Sequence, residues 1–153
     1  MPLRFNHMEL TLPKGALEPA RAAIKTFYAD LFGWDALDVP ILKQTGLLLR
    51  TDAETSQFIL VTEQRAHLRS PGFDHLGLLC DTRAEVDALL ERAKAWRARD
   101  ARVELKEYDD LVSGPVTTHA FYVRYLLPIW FDVQVLEYAA GAQPTQRWRY
   151  GAS

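Results

Sequence analysis

The sequence predicts an α+β fold of two βαβββ modules, joined as a curved, partly open mixed β-barrel with its helices outside. Three observations predict it. A strand-like motif occurs twice, as Phe5-Asn6-His7-Met8-Glu9-Leu10 and as Phe73-Asp74-His75-Leu76-Gly77-Leu78. Each copy is followed by apolar residues at helical spacing, and each such stripe by further β-favouring runs. An internal repeat of this kind settles architecture ahead of any single element.

The elements follow in order. After the first motif, Ala20, Ala23, Ile24, Phe27, Tyr28 and Leu31 recur at the period of an amphipathic helix. Pro19 stands near its start and Gly33 just past its end, the usual asymmetry of helix termini. Strands are expected near Ala36–Val39, Gly46–Arg50 and Gln57–Thr62, with Asp52–Ser56 as a turn. Gln64–Gly72 reads as the linker between modules. In the second module, Thr82-Arg83-Ala84-Glu85 has capping-box spacing, and Val86, Leu89, Leu90, Ala93 and Trp96 carry the helical stripe. Strands are then expected near Arg102–Tyr108, His119–Tyr125 and Phe131–Tyr138. Leu48-Leu49-Arg50 matches Tyr122-Val123-Arg124, and Val61-Thr62-Glu63 matches Val135-Leu136-Glu137. The modules thus span about 3–63 and 73–138 within one domain, 1–140. Residues 141–153 form a tail in which Trp148 and Tyr150 are the candidates to dock. One module alone leaves a sheet face open; two placed edge to edge enclose a cavity, where ligands are expected.

Composition narrows the function classes. The chain has 153 residues, 48% hydrophobic and 25% charged, the balance of one soluble globular domain. Lys+Arg number 18 against 20 Asp+Glu, so no basic field exists to neutralise nucleic-acid phosphates. No apolar run approaches a membrane span, and the first residues lack signal-peptide order. Cys80 is the single cysteine, which excludes an internal disulfide and a thiolate cluster and suits a reducing, cytoplasmic setting. A small-molecule protein, with neither nucleic-acid nor membrane partner, is the expectation.

Three polar residues stand where strands should be apolar. His7 and His75 hold the same place in the repeat, Gly77 removes bulk beside His75, and Glu137 follows Phe131, Val133 and Val135 on one strand face. A carboxylate in such a row needs a cation or donor. Two imidazoles and a carboxylate suit divalent iron, zinc, nickel or manganese and leave positions open for substrate. Gln134 is a minor rival to Glu137, with opposite face parity and a poorer ligand chemistry. A histidine's unperturbed pKa lies near neutrality, which suits His119 to a proton shuttle, but it equally suits a capping or surface position at a strand start. No phosphate loop, nucleophile elbow or H-E-x-x-H motif is present.

With F-N-H-M-E-L opening one half, F-D-H-L-G-L the other and V-L-E-Y at the end, the chain resembles the vicinal oxygen chelate superfamily. This is the group of glyoxalases, bleomycin- and fosfomycin-resistance proteins and extradiol dioxygenases. The resemblance covers about residues 3–140. It implies a metal-dependent lyase, isomerase or dioxygenase whose divalent ion, held by His7, His75 and Glu137, binds a small-molecule substrate through adjacent oxygens. It also implies a homodimer. A fourth ligand or acid/base group would come from the fourth strand: Glu63 in one register, Leu60 in another. Four ligands would point to isomerising lyases, three to oxygenases or transferases. The alternative is a drug-sequestering protein of the same fold without chemistry, for which Trp34, Trp130, Phe131 and Phe121 supply aromatic surface. Tyr125–Asp132 departs from the tight Asp-Pro-x-Gly turn of many members; it is longer and oily, suited to a lid, a pocket wall or a dimer contact.

Overall fold

The computed structural model describes residues 3–145, so Trp148 and Tyr150 lie outside the described residues. Strand β1 (His7–Leu12) leads into helix α1 (Leu17–Phe32), then β2 (Asp35–Ile41), β3 (Gln44–Arg50) and β4 (Phe58–Glu63). The second module repeats the order with β5 (His75–Leu79), α2 (Arg83–Arg99) and β6 (Glu104–Glu107). It continues through β7 (Leu111–Ser113), β8 (Val116–Arg124) and β9 (Trp130–Tyr138), β7 being a short hairpin partner of β8 that periodicity did not show.

Local chemistry explains the helix ends. At the start of α2, Thr82 accepts from the Glu85 N–H while the Glu85 carboxylate accepts from the Thr82 N–H, the capping box the sequence predicts. Helix α1 has no cap of its own at Ala16; the Glu63 carboxylate accepts instead from the N–H groups of Gly15 and Leu17, at 2.9 and 2.6 Å. Gly33 ends α1 with φ 72°, a left-handed conformation that costs glycine little. Leu42 and Lys43 turn β2 into β3 with φ of 51° and 59°, the twist a two-residue hairpin requires.

Two mixed sheets result, in orders β1-β4-β3-β2 and β5-β9-β8-β6. Within each, the first strand of the module runs parallel to the last. Ile24, Phe27, Tyr28 and Leu31 of α1 join Leu10, Leu47, Leu49 and Val61 of the first sheet in one core. Val86 and Ala93 of α2 join it with Phe121, Val123, Phe131, Val133 and Val135 of the second.

Among the described residues the modules do not join edge to edge and no barrel closes; β1 and β5 both remain sheet edges. The halves meet along their helical sides. Tyr28 donates from its hydroxyl to the Tyr125 carbonyl at 3.0 Å, and Trp96 Nε1–H donates to Asp30 at 2.6 Å. The oily stretch before β9 decides this arrangement. Tyr125, Leu127 and Ile129 are only 1–3% exposed, and the Tyr125 ring lies 4.4 Å from that of Phe27. That segment is neither lid nor pocket wall but core between the halves, where removing its apolar area from water stabilises the packing.

Candidate functional site

Alternation along each strand sends one set of side chains to the helices and the other to an open face. In β1, Met8, Leu10 and Leu12 belong to the core, which turns His7, Glu9 and Thr11 to the open face. In β5, Leu76 and Leu78 pack inward, turning His75, Gly77 and Leu79 outward. Phe131, Val133 and Val135 of β9 are core, so Trp130, Asp132 and Gln134 share the face of His75.

On this second face His75 and Asp132 come together. The register sets Asp132 opposite Gly77, diagonal to His75, and a Cβ at Gly77 would crowd the Gln134 amide at 3.1 Å. His75 Nδ1 lies 2.8 Å from the Phe73 carbonyl. A carbonyl can only accept, so in the neutral ring the proton is on Nδ1 and the lone pair on Nε2. Nε2 stands 3.7 Å from Asp132 Oδ2, beyond hydrogen-bonding distance. Nε2 and Oδ2 thus face one another, and the two form an ion pair only when the ring is protonated. Asp132 is 6% exposed; burial raises its pKa by desolvating the charge, while the Tyr108 hydroxyl and the neighbouring His75 oppose that rise. Tyr108 Oη donates to Asp132 Oδ1 at 3.2 Å. Rings of Tyr122, Trp130 and Phe73 complete the surroundings, with Tyr122 5.0 Å from His75.

His7 repeats the device on the first sheet. Its Nδ1 is 2.8 Å from Asn6 Oδ1, and the Asn6 amide is oriented by donating from Nδ2 to the Ser56 carbonyl. Nε2 is again the free nitrogen. The ring lies flat on Phe58, centroids 4.8 Å apart.

The other expected site residues lie elsewhere. Glu137 faces the helix side, where it accepts from Arg83 Nε at 3.1 Å, and that guanidinium holds its pKa down. Since Trp130 pairs with His75, Glu137 lies seven residues further along β9, roughly 23 Å at strand rise. Glu63 is the cap of α1, and the two backbone donors lower its pKa. His119 also faces α2. Its Nε2 and Nδ1 each meet a carboxylate at 2.7 Å, of Asp87 and Asp110. Burial disfavours its charge, but those two carboxylates outweigh it and raise the pKa. All four expected aromatics are buried, Trp34, Phe121 and Phe131 in the core and Trp130, 6% exposed, on the sheet face of His75.

Sequence reasoning missed Asp132 and Tyr108. Only the strand register brings out the first: His7 pairs with Phe58 and His75 with Trp130, which makes Leu60 and Asp132 structural mates. Among the described residues, no three His, Cys, Asp or Glu side chains of one chain converge enough to hold a metal ion. His7 lies on the other sheet from His75 and Asp132.

This fold is shared with solved structures. The fosfomycin resistance protein FosX of Listeria monocytogenes superposes with a TM-score of 0.62 at 18% identity, over 87% of this chain and 91% of that one. A glyoxalase family protein of Bacillus anthracis gives 0.58 at 17% identity, over 90% and 98%. Lactoylglutathione lyase of Agrobacterium tumefaciens gives 0.58 at 21%, over 88% and 94%. No protein-family model and no curated protein matches the sequence. The class defined is thus one of fold: an α+β protein of paired glyoxalase-like modules. That fold is the one of the vicinal oxygen chelate superfamily, to which all three similar proteins belong.

Proposed function

We propose that this protein is a metal-dependent enzyme acting on a small molecule that binds through adjacent oxygens. The observation that carries the proposal is the approach of His75 Nε2 to Oδ2 of the buried Asp132, 3.7 Å apart on one sheet face. An imidazole nitrogen and a desolvated carboxylate this close suit a shared cation, which a proton on Nε2 or a divalent ion can supply. His75, Asp132 and His7 would hold it, Asp132 taking the part the sequence suggested for Glu137. A manganese(II) complex of the Listeria FosX is known. Two imidazoles and one carboxylate equally suit iron, zinc or nickel.

When bound, such an ion acts as a Lewis acid on substrate oxygens. The chain's own residues do the rest. The Phe73 carbonyl and Asn6 hold the two imidazoles in their ligating tautomer. Tyr122 and Trp130 wall the site and exclude water. Leu60, the mate of Asp132, carries no carboxylate, so the four-ligand pattern with an acid/base glutamate from the fourth strand is not the arrangement favoured.

His7 reaches this site in a homodimer. Among the described residues the outer edges of β1 and β5 are both unpaired, and Phe5 and Phe73 beside the two histidines are 86% and 46% exposed. A second copy laid edge to edge would cover them and bring its His7 to the first copy's His75 and Asp132. A sequestering protein without chemistry would have no use for the facing Nε2 and Oδ2. The test is divalent-metal titration of the protein and three variants. His75→Ala and Asp132→Asn should lose most of the affinity, and Glu137→Gln should keep it. Equal binding by all four, or none by any, overturns the proposal.

A further inference from the structure

The open face of the second sheet carries a cluster of rings and, among them, one cation without an acid of its own. Register sets Lys106 of β6 opposite Tyr122 of β8, and Tyr122 opposite Asp132 of β9. Phe73 lies on this surface just before β5. Its ring is 6.0 Å from that of Tyr122, at 30°, and 5.2 Å from that of Trp130. Tyr108 extends the cluster, 5.2 Å from Tyr122. Trp130 is buried, whereas Phe73, Tyr108 and Tyr122 keep part of their rings exposed. Lys106 Nζ sits 4.0 Å from the centre of the Phe73 ring.

Charge decides what such a surface takes. The carboxylates nearby are engaged: Glu104 by Arg124, Glu107 by Lys94, Asp74 by the Ser70 hydroxyl and Asp132 by the Tyr108 hydroxyl. Among the described residues Lys106 has no ion pair, only the Phe73 ring. A cationic guest is disfavoured, because Lys106 and Arg124 already lie over the rings of Phe73 and Trp130, at 4.0 and 4.5 Å. We infer that this face binds a planar aromatic acid, its ring against Phe73, Tyr108 and Tyr122 and its anionic group on Lys106 Nζ. Ring contacts stabilise beyond the area they bury, and the anion gives the ammonium a charged acceptor. Strand β6 is the sheet edge opposite β5, so a second copy at β5 leaves the Lys106 side open. From the function proposed above, the inference takes only that substrate lies on this face; it adds the substrate's class and the residue that selects it.

Wild type, Lys106→Gln and Phe73→Leu are titrated in EDTA with naphthoate, with its neutral counterpart naphthamide, and with decahydronaphthoate, the acid with saturated rings. Ligand proton NMR reads the binding. Wild type should hold naphthoate about 5-fold more tightly than naphthamide, the worth of one accessible charged contact. Lys106→Gln should hold the two alike and bind naphthamide as wild type does, which also shows that it is folded. Phe73→Leu keeps apolar bulk without the ring and should weaken both naphthyl ligands about 2- to 10-fold; its melting temperature shows that it folds. Decahydronaphthoate should bind wild type more weakly than naphthoate. Equal binding of naphthoate and naphthamide by wild type, a preference that survives in Lys106→Gln, or no binding at all overturns the inference. So does undiminished binding by Phe73→Leu, or decahydronaphthoate held as tightly as naphthoate. Because no metal is present, each of these leaves the metal titration above standing, and failure of that titration leaves this binding standing.

Discussion

If one copy supplies His7 and the other His75 with Asp132, two crippled variants should repair each other. His7→Ala removes an exposed ring resting on Phe58, and Asp132→Asn keeps the size of the buried side chain, so both should fold. Alone, each homodimer has a defect in both sites. In a mixed dimer, one site draws His7 from the Asp132→Asn chain and His75 with Asp132 from the His7→Ala chain; it is whole. The other site carries both defects. Random exchange of equal amounts makes about half the dimers mixed, each with one whole site in two. Metal-binding capacity should therefore return to about a quarter of wild type. The assay is metal titration before and after the two variants are unfolded together and refolded, with the assembly checked by light scattering. No recovery in a dimer that has demonstrably exchanged would refute the shared site, since a site built within one chain cannot be rebuilt by mixing.

His119 bridges Asp87 of α2 and Asp110 before β7, with Arg83 and Glu137 also in the cluster. Its folded pKa is raised above the ordinary value near 6.5, so its contribution to stability is full below that value and fades as pH rises through the folded pKa. The urea midpoint difference between wild type and His119→Gln should be largest near pH 5 and shrink toward pH 8; a difference independent of pH would contradict this. Glu63→Ala removes the acceptor for Gly15 and Leu17 and should cost about 1 kcal/mol, the ordinary loss of a helix cap. Denaturant unfolding reads that cost, and metal affinity should not change. A metal-binding defect in Glu63→Ala would mean that its carboxylate does more than cap.

Much of the fold was legible from the residues. The duplicated histidine strand, both amphipathic helices, the capping box at Thr82 and the end of α1 at Gly33 all depend on neighbours in sequence. Hydrophobic period and terminal hydrogen bonding act within a turn or two, so one strand of text suffices to read them. His7 and His75 were legible for the same reason: a repeat compares the chain with itself.

That Asp132 stands beside His75 was not legible, because which residue of β9 reaches that place depends on where β9 starts. That in turn depends on Tyr125, Leu127 and Ile129 folding into the core rather than looping out. A slip in register moves a carboxylate to the other face of a sheet, and so Glu137 was expected where Asp132 stands. Whether the modules close a barrel was also beyond the sequence. Edge pairing and helix-side packing bury similar apolar residues, and only the three-dimensional fit of Tyr28, Phe27 and Tyr125 decides between them. What the residues determined by themselves is the paired βαβββ plan and its two matched histidines. What tertiary structure alone decided is the placing of Asp132 beside His75 and the sheet edges that keep the two histidines on separate sheets, because both arise from contacts between segments far apart in the chain.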